Sequence, residues 1–224
     1  MRAPTIVFDL DGTLVDTAPD LVATLNVVLV REGQQPVAYE DARLMVGGGA
    51  RVMVERGVKA NGRTLPVAEI DRLERDFIAH YADHIALHSQ PFDGVEATLE
   101  QLAERGCRLA VCTNKLEWLS LRLLDALKLR RRFDAICGAD TFGVPKPDPT
   151  ILNRTIERAG GDKGRAVMIG DSITDIATAR AANVPVIAVD FGYSDAPVAQ
   201  LKPDRVVSAF SQLPEVIFGM LSTG

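Results

Sequence analysis

The stretch TIVFDLDGTLVDT, residues 5–17, decides the fold that this sequence predicts. It begins with β-branched and aromatic residues that favour a buried strand, and it continues into a glycine turn that carries two carboxylates, Asp9 and Asp11. Two like charges about 4 Å apart repel by roughly 4 kcal/mol at an effective dielectric constant of about 20. The stretch therefore predicts a strand whose end needs a cation or a proton to compensate the two acids.

Helical patterning without a strand follows this stretch as far as residue 91. Asp16 and Thr17 are interpreted as helix caps, and apolar residues at helical spacing predict a first helix that continues to Gly33. The glycines at 47–49 interrupt the pattern, and Pro66 is typical of the start of a helix. We predict helices over residues 39–46 and 50–58 and a longer one from Pro66, with the apolar stripe Ile70, Leu73, Phe77, Tyr81 and Ile85.

From residue 92 onward, strands and helices alternate. The predicted strands are 108–113, 134–137, 166–170 and 184–189, and the predicted helices are one that ends at Gly106 and those at 116–126, 149–159 and 173–182. Such alternation is typical of a parallel sheet with helices on both faces. We therefore predict an α/β protein in which residues 1–15 and 92–224 form a doubly wound, Rossmann-like core domain, and residues 16–91 form an inserted all-helical cap domain.

Composition excludes several classes of partner. The 224 residues carry a formal net charge of -5, which argues against nucleic acid or an anionic membrane surface. No apolar run reaches the ~18 residues of a membrane span, and the acids at 9 and 11 interrupt the run that a secretory signal would need. Cys107 and Cys112 point to opposite faces of one predicted strand and, with Cys137, make an odd set. Reduced thiols and a cytoplasmic location are expected.

Polar residues follow the predicted strands at the edge where a doubly wound sheet binds its ligands. They are Asp9 and Asp11 after the first strand, Thr113 and Asn114 after the second, Lys146 in the loop after the third, and Asp171 and Asp175 after the fourth. Each has an ordinary alternative: DG is a common turn, SITD at 172–175 reads as a capping box, and Thr113 and Lys146 are acceptable at a surface. Their joint placement at one edge favours a catalytic site.

The segments DLDGT, TN, KP and GDSITD, in this order and spacing, resemble the motifs of the haloacid dehalogenase-like superfamily of aspartyl phosphotransferases, specifically members with a helical cap after the first strand. Within the superfamily the chain is similar to the phosphoglycolate phosphatases. The resemblance implies a hydrolase of small phosphate esters that uses Mg²⁺, with 2-phosphoglycolate as the first substrate to test.

The four aspartates suit this chemistry. A carboxylate such as Asp9 can attack phosphorus and divide hydrolysis into two steps through an aspartyl phosphate. Asp11 can act as the general acid and base, for which it should be protonated when the substrate binds. Asp9 and Asp171 supply the oxygen ligands that Mg²⁺ prefers, and the resemblance adds the backbone carbonyl of Asp11. Asp175, one helical turn after Asp171, is expected to orient the waters bound to the metal without binding the metal itself.

Three further residues are predicted to contact the phosphoryl group. Lys146 would neutralise its charge, while Thr113 and the backbone amide of Asn114 would donate hydrogen bonds to its oxygens. Pro145 and Pro147 flank the lysine and restrict its backbone, so its direction is expected to be fixed.

The cap is expected to act as a lid that excludes water, with the segment VGGGARV at 46–52 as its contact loop. Amides at the N-terminus of the helix that begins at Ala50 could hold a small anionic group such as a glycolate carboxylate. Members of the family often carry Asn between these glycines. This chain has Gly48 there, so the predicted contact involves no side chain, and Arg51 is a weaker candidate.

His80, His84 and His88 recur every four residues on the predicted long helix, a spacing that suggests a zinc site. They border the apolar stripe, however, and no cysteine accompanies them. We therefore interpret them as a boundary face of the helix.

Several alternative functions remain open on the sequence. A mutase or other phosphotransferase acting on a sugar phosphate would use the same aspartyl phosphate and exclude water, and pyrophosphate is another candidate substrate. A dehalogenase is less favoured, because displacement at carbon needs neither the acid nor a metal. The non-enzymatic alternative is a phosphoaspartate switch or binding protein, which an acid two residues from the nucleophile disfavours. The oligomeric state is left open between monomer and homodimer.

Overall fold

Within the residues that the structure describes there are eight strands, and six of them form one parallel sheet. The structure, a computed structural model, describes residues 3–222. Its strands are β1 (Thr5–Phe8), β2 (Val15–Asp16), β3 (Gln90–Pro91), β4 (Arg108–Cys112), β5 (Ala135–Cys137), β6 (Ala166–Gly170), β7 (Val186–Val189) and β8 (Arg205–Val207). The sheet order is β5-β4-β1-β6-β7-β8 with every neighbouring pair parallel, while β2 and β3 form a separate antiparallel pair.

The strand predicted from the opening stretch lies at the centre of the sheet. All four residues of β1 are buried, and β4 and β6 pair with it on either side. Ile6 and Phe8 pack into the core on one face, and Val7 packs into the core on the other. Successive residues of a strand point to opposite faces, so a strand covered on both sides is continuously apolar. The predicted doubly wound sheet is confirmed.

The helices form the inserted segment and cover both faces of the six-stranded sheet. They are α1 (Ala18–Arg31), α2 (Tyr39–Arg43), α3 (Ala50–Ala60), α4 (Val67–Asp83), α5 (Val95–Glu104), α6 (Glu117–Ala126), α7 (Pro149–Arg158), α8 (Ile173–Ala182) and α9 (Leu213–Ser222). Side chains of α5, α6 and α9 pack on one face of the sheet, and those of α7 and α8 pack on the other. Strand β8 and helix α9 are not predicted from the sequence. Two of the three residues of β8 are exposed, so it lacks the buried apolar run that predicts a strand.

The helices α1 to α4 form the inserted helical segment. Helix α4 packs against α1 and α3, and Ile70, Leu73, Phe77 and Tyr81 of its predicted stripe are buried. The chain enters this segment through β2 and leaves it through β3, and these two strands pair side by side. The division into core and cap at residues 15 and 91 stays a prediction.

Two local predictions at the start of this segment are wrong. Thr17 occupies the N-cap position of α1 but makes no capping hydrogen bond: its backbone is helical, with φ of -98° and ψ of -7°, and its hydroxyl donates to Asp11 at 2.7 Å. Asp16 lies in β2, and its Oδ1 accepts a hydrogen bond from the hydroxyl of Tyr193 at 2.5 Å. Both side chains that resemble caps are therefore used by other partners. The helix predicted over 39–46 is also shorter and ends at Arg43.

The three histidines do not share one helix face. Helix α4 ends at Asp83, so it contains His80, while His84 is its C-cap residue and His88 lies beyond it. The rings of His80 and His84 stack with their centroids 4.1 Å apart. Among residues 3–222 the histidines form no group that could hold a metal ion.

The cysteines are all buried and free. Cys107 packs into the core on one face of the sheet and Cys112 on the other, as the sequence predicts. In the part of the chain that the structure describes, no helix combines the length and the apolar character needed to span a membrane.

Candidate active site

Three carboxylates meet at the carboxyl edge of the sheet. Asp9 follows β1 and Asp171 follows β6, and these two strands are paired neighbours. Asp175 joins them from the first turn of α8. Each of the three side chains offers a buried oxygen, and these oxygens lie within 4.8 Å of one another. The structure therefore brings together the acids that the sequence predicts to converge, and we call them the acidic trio.

The loops around Asp171 have no room for extra side-chain atoms. Gly12 has a φ of +82°, and a Cβ at this position would lie 2.5 Å from Oδ2 of Asp171. A Cβ at Gly192 would also overlap the carboxylate of Asp171. Thr13 donates its hydroxyl hydrogen to Oδ1 at 3.1 Å, and the backbone N–H of Tyr193 donates to Oδ2 at 2.8 Å. Asp171 is thus held by donors on both of its oxygens.

Lys146 supplies the positive charge next to the acidic trio. Its Nζ lies 2.9 Å from Oδ1 of Asp9 and 2.6 Å from Oδ1 of Asp175, and its side chain is 1% exposed. Its backbone N–H donates to Oδ1 of Asn114 at 2.8 Å, which holds the lysine loop against the end of β4. With all groups ionised, one ammonium among three carboxylates leaves two negative charges without compensation.

Burial first, and the neighbouring charges second, shift the pKa values of these groups. Burial raises the pKa of Asp9 to about 8, against the opposing attraction of Lys146. Burial also raises the pKa of Asp171 to about 7, and the charge of Asp175 adds to the effect. Burial disfavours the charged form of Lys146, but Asp175 and Asp9 together outweigh it and raise the lysine pKa. Buried carboxylate oxygens with a deficit of positive charge fit a hard divalent cation.

Asp11 is held apart from the acidic trio by partners of its own. Its Oδ1 accepts the hydrogen bond from Thr17 at 2.7 Å and lies 3.1 Å from Nζ of Lys115. Its side chain contributes no oxygen to the trio and lines the cavity beneath the cap. The carboxyl group is therefore positioned to face a ligand, and a metal contact from Asp11 would use its backbone carbonyl. Its protonation on substrate binding stays a prediction.

Asp175 completes the capping box that the SITD segment predicts, and it also contacts the candidate site. The backbone N–H and the hydroxyl of Ser172 donate to its Oδ2 at 3.1 and 2.6 Å, which completes a capping box at the start of α8. Its Oδ1 contacts Lys146. One oxygen therefore stabilises the helix while the other faces the site, and the predicted role in orienting waters stays a prediction.

Thr113 and Asn114 lie at the end of β4, where the sequence predicts them. Thr113 is buried, and its Oγ1 accepts a hydrogen bond from the backbone N–H of Lys115 at 3.2 Å. Nδ2 of Asn114 donates to the carbonyl oxygens of Gly47 at 3.2 Å and Lys146 at 3.3 Å. The Asn114 side chain thus links the sheet edge to the cap loop, a contact that the sequence does not predict. Phosphoryl contacts of either residue stay predictions.

A cavity of about 290 Å³ separates the cap loop from the sheet edge. Gly48 lines it on the cap side, and a Cβ there would lie 2.7 Å from Cγ1 of Val52, so a side chain at position 48 would require Val52 to move. Arg51 also lines the cavity, but Nη1 of its guanidinium lies 2.6 Å from Asp71 and 3.1 Å from Glu74. The arginine is thus engaged by carboxylates of α4, whereas Gly48 remains a candidate contact.

Two buried residues at the site were not identified from the sequence. Lys115 contacts Asp11, and its only signal is its position directly after the TN segment. Tyr193 connects Asp171, through its backbone N–H, with Asp16, through its hydroxyl. No motif marks Tyr193, because both partners are distant from it in sequence.

Comparisons with known proteins find relatives along nearly the full chain. Residues 6–189 match the family described as haloacid dehalogenase-like hydrolase. A phosphoglycolate phosphatase of Mesorhizobium japonicum is 51% identical over 213 residues, covering 95% of this chain and 94% of that protein. One of Agrobacterium fabrum is 48% identical over 219 residues, covering 98% and 94%. The crystal structure of a predicted phosphoglycolate phosphatase from Haemophilus somnus matches with a TM-score of 0.89 at 28% identity, covering 96% of this chain and 98% of that chain.

Proposed function

This chain belongs to the haloacid dehalogenase-like hydrolases, and we propose that it hydrolyses 2-phosphoglycolate to glycolate and phosphate in a Mg²⁺-dependent reaction. It is a phosphoric monoester hydrolase by its relationship to the phosphoglycolate phosphatases, which is the basis for choosing this substrate. The observation that carries the proposed mechanism is the buried acidic trio with Lys146 at the carboxyl edge of the sheet, which with all groups ionised carries two uncompensated negative charges.

Asp9 is the proposed nucleophile. The backbone N–H of Leu10 donates to its Oδ1 at 2.7 Å, and Nζ of Lys146 lies 2.9 Å from the same oxygen. Two donors on one oxygen orient the carboxylate and direct its other oxygen toward the phosphorus atom. Attack forms an aspartyl phosphate and releases glycolate, so that a second step with water completes hydrolysis.

Asp11 is the proposed general acid and base. It lines the cavity two residues after the nucleophile, and Thr17 and Lys115 fix the position of its Oδ1. A proton on its carboxyl group would pass to the leaving oxygen of glycolate in the first step. The resulting carboxylate would then take a proton from the water that attacks the aspartyl phosphate.

The positive charge at the reacting group has two proposed sources. Lys146 compensates the charge of the transferred phosphoryl oxygens, and Thr113 and the backbone N–H of Asn114 donate hydrogen bonds to them. Asp9, Asp171 and the carbonyl of Asp11 would hold Mg²⁺, with Asp175 behind them. When bound, the ion stabilises negative charge that would otherwise repel the incoming phosphate ester.

The cap loop and the size of the cavity support a small substrate. A volume of about 290 Å³ lies at the lower end of the range for ligand pockets, which begins at about 300 Å³. The loop at 47–49 precedes α3, whose first-turn amides have no partners within the helix. We propose that these amides and Gly48 receive the anionic end of the substrate, as helix N-termini favour anions.

Phosphate release from a panel of esters tests this function. The purified protein is assayed with 2-phosphoglycolate, sugar phosphates, pyrophosphate and nucleotides, with Mg²⁺ and after its removal by EDTA. We expect 2-phosphoglycolate to show the highest kcat/KM, stoichiometric release of free phosphate, and dependence on added Mg²⁺. A higher kcat/KM for another ester would exclude the proposed substrate and leave the phosphatase assignment intact.

Two matched variants test the mechanism. Asp9→Asn should abolish turnover at unchanged folding, because it removes the nucleophile from a buried position. Asp93→Asn removes an equal charge from an exposed position and should leave turnover unchanged. Equal activity of the Asp9→Asn variant and the wild type would contradict the aspartyl phosphate mechanism.

A further inference from the structure

Lys115 is a buried cation that the proposed reaction steps leave without a substrate contact. Its Nζ lies 3.1 Å from Oδ1 of Asp11 and 3.3 Å from the hydroxyl oxygen of Tyr81, and its side chain is 5% exposed. It also lies 4.4 Å from the centroid of the Tyr81 ring. An ammonium group carries three N–H donors, whereas these neighbours offer two acceptor atoms. The group is therefore held in a defined direction with capacity for one more acceptor.

Lys115 lines the cavity between the cap loop and the sheet edge. Of the described residues that line this cavity, Arg51 is the other cation, and it is already engaged by Asp71, Glu74 and Glu55 at 2.6, 3.1 and 3.2 Å. A second anionic group on a ligand in this cavity would therefore meet Lys115 as the cation with the fewest competing carboxylates.

The position of Lys115 relative to Asp11 sets the distance to that second anion. To protonate the leaving oxygen, Asp11 must come within hydrogen-bond reach of it, about 2.6–3.2 Å. Oδ1 of Asp11 accepts from Thr17 and lies 3.1 Å from Nζ of Lys115, so Oδ2 of the same carboxyl group carries the proton for the leaving oxygen. The leaving oxygen is therefore separated from the Lys115 contact by one carboxyl group and one hydrogen bond. In 2-phosphoglycolate a single carbon separates the leaving oxygen from the carboxylate. The carboxylate can thus reach Nζ while the phosphoryl group lies against Asp9.

We propose that Lys115 determines the substrate class: it binds a carboxylate one carbon away from the leaving oxygen and so selects phosphate esters of small 2-hydroxy acids. This inference rests on the proposed function and names the residue that recognises the part of the substrate that is not transferred. The cap loop lines the same cavity, so its amides can bind the second oxygen of the carboxylate that Lys115 binds.

A pair of substrates isolates the recognition of the carboxylate. In 2-hydroxyethyl phosphate a neutral hydroxymethyl group replaces the carboxylate of 2-phosphoglycolate, while the transferred group and the leaving oxygen stay the same. The readout is the ratio of kcat/KM for 2-phosphoglycolate to kcat/KM for 2-hydroxyethyl phosphate. Lys115→Met should lower this ratio by about 10- to 100-fold, the effect of losing one hydrogen bond to a charged group, mainly through a higher KM for 2-phosphoglycolate.

Matched variants separate this role from others. Arg51→Met removes the other cation of the cavity wall and should leave the ratio unchanged. Lys115→Arg keeps the charge and should retain most of the preference for 2-phosphoglycolate. Tyr81→Phe removes one acceptor of Nζ but keeps the ring, so it should lower the ratio by less than Lys115→Met. If Lys115→Met fails to fold, Tyr81→Phe and Lys115→Arg test the inference instead. An unchanged ratio in Tyr81→Phe, together with loss of the preference for 2-phosphoglycolate in Lys115→Arg, would contradict the inference.

Failure of this inference is distinguishable from failure of the proposed function. If Lys115→Met loses activity equally on both substrates, the lysine acts only by positioning Asp11 and the inference is overturned, while the wild-type preference for 2-phosphoglycolate still stands. If the wild type itself hydrolyses 2-hydroxyethyl phosphate as well as 2-phosphoglycolate, the proposed substrate fails and the inference fails with it.

Discussion

In the absence of a bound metal ion, the protein should lose stability as the pH rises from 6 to 8, and Mg²⁺ should prevent this loss. Burial raises the pKa of Asp9 to about 8 and that of Asp171 to about 7, both above the ordinary range of an aspartate. The native state therefore keeps protons that the unfolded chain has already released. Because the native state binds more protons, its stability is highest below the unfolded-state pKa values and is lost as the pH rises through the raised ones.

The size of the loss follows from the two pKa values. A group that is protonated in the native state and ionised in the unfolded state changes stability by about 1.4 kcal/mol per pH unit. With proton release near pH 7 for Asp171 and near pH 8 for Asp9, the combined loss between pH 6 and 8 is on the order of 3 kcal/mol. For a chain of this length, 1 kcal/mol shifts Tm by about 2–4 °C, so Tm should fall by about 6–12 °C.

Thermal unfolding followed by circular dichroism at pH 6, 7 and 8, in EDTA and in Mg²⁺, measures this effect. We expect Tm to fall with pH in EDTA and to stay nearly level in Mg²⁺, because a bound cation favours the ionised carboxylates. In Asp9→Asn one of the titrating groups is absent, so the fall in EDTA should shrink by more than half. A Tm that rises with pH in EDTA, or equal slopes for the wild type and Asp9→Asn, would refute the reasoning.

Three further substitutions distinguish groups that act in the chemistry from groups that support it. Lys146→Met removes the ammonium from two carboxylates at the reacting edge and should lower kcat in the phosphate-release assay by about 1000-fold; a loss below about tenfold in a folded variant would contradict its role. Asn114→Ala removes the hydrogen bonds that hold the loop of Lys146 and the carbonyl of Gly47. We expect kcat to fall by about tenfold, roughly the effect of one hydrogen bond. Unchanged kinetics would mean that Asn114 does not position the lysine. Tyr193→Phe removes the hydrogen bond that the hydroxyl donates to Asp16 and the one that it accepts from the backbone N–H of Ala18. It should lower the free energy of unfolding by about 1–2 kcal/mol in urea titrations. Because the backbone N–H to the acidic trio remains, the Mg²⁺ dependence of its turnover should match the wild type, and a shifted dependence would contradict that separation.

Much of the architecture could be predicted from the sequence, because the signals for it are local. The apolar run before Asp9 predicts the central strand, and the alternation of strands and helices from residue 92 predicts the parallel sheet. Strand β8 escapes prediction because it lies at the sheet edge and is mostly exposed. Thr17 occupies the predicted N-cap position, but its side chain does not cap the helix, because its backbone conformation is helical and its hydroxyl is directed to the buried Asp11.

The sequence predicts which residues gather at the candidate site, but it does not predict most of the contacts between them. Asp9, Asp171 and Asp175 converge because the carboxyl ends of neighbouring parallel strands share one edge. The pairing of Lys115 with Asp11 has no comparable signal, because a lysine after a strand is ordinary in sequence. The second neighbour of Lys115, Tyr81, has no signal either, because α4 brings it to the lysine from the inserted segment.

The sequence by itself determined the strand that ends at Asp9, the order of strands and helices, and the acids that gather at the sheet edge, because periodicity, turn residues and parallel pairing require only local patterns. Tertiary structure alone decided the partner of each polar atom. It set Lys146 between Asp9 and Asp175 and turned Thr17 toward Asp11, and it closed a cavity of about 290 Å³ over the edge. Hydrogen bonds and ion pairs depend on separations of about 3 Å, and the packing of distant segments sets those separations.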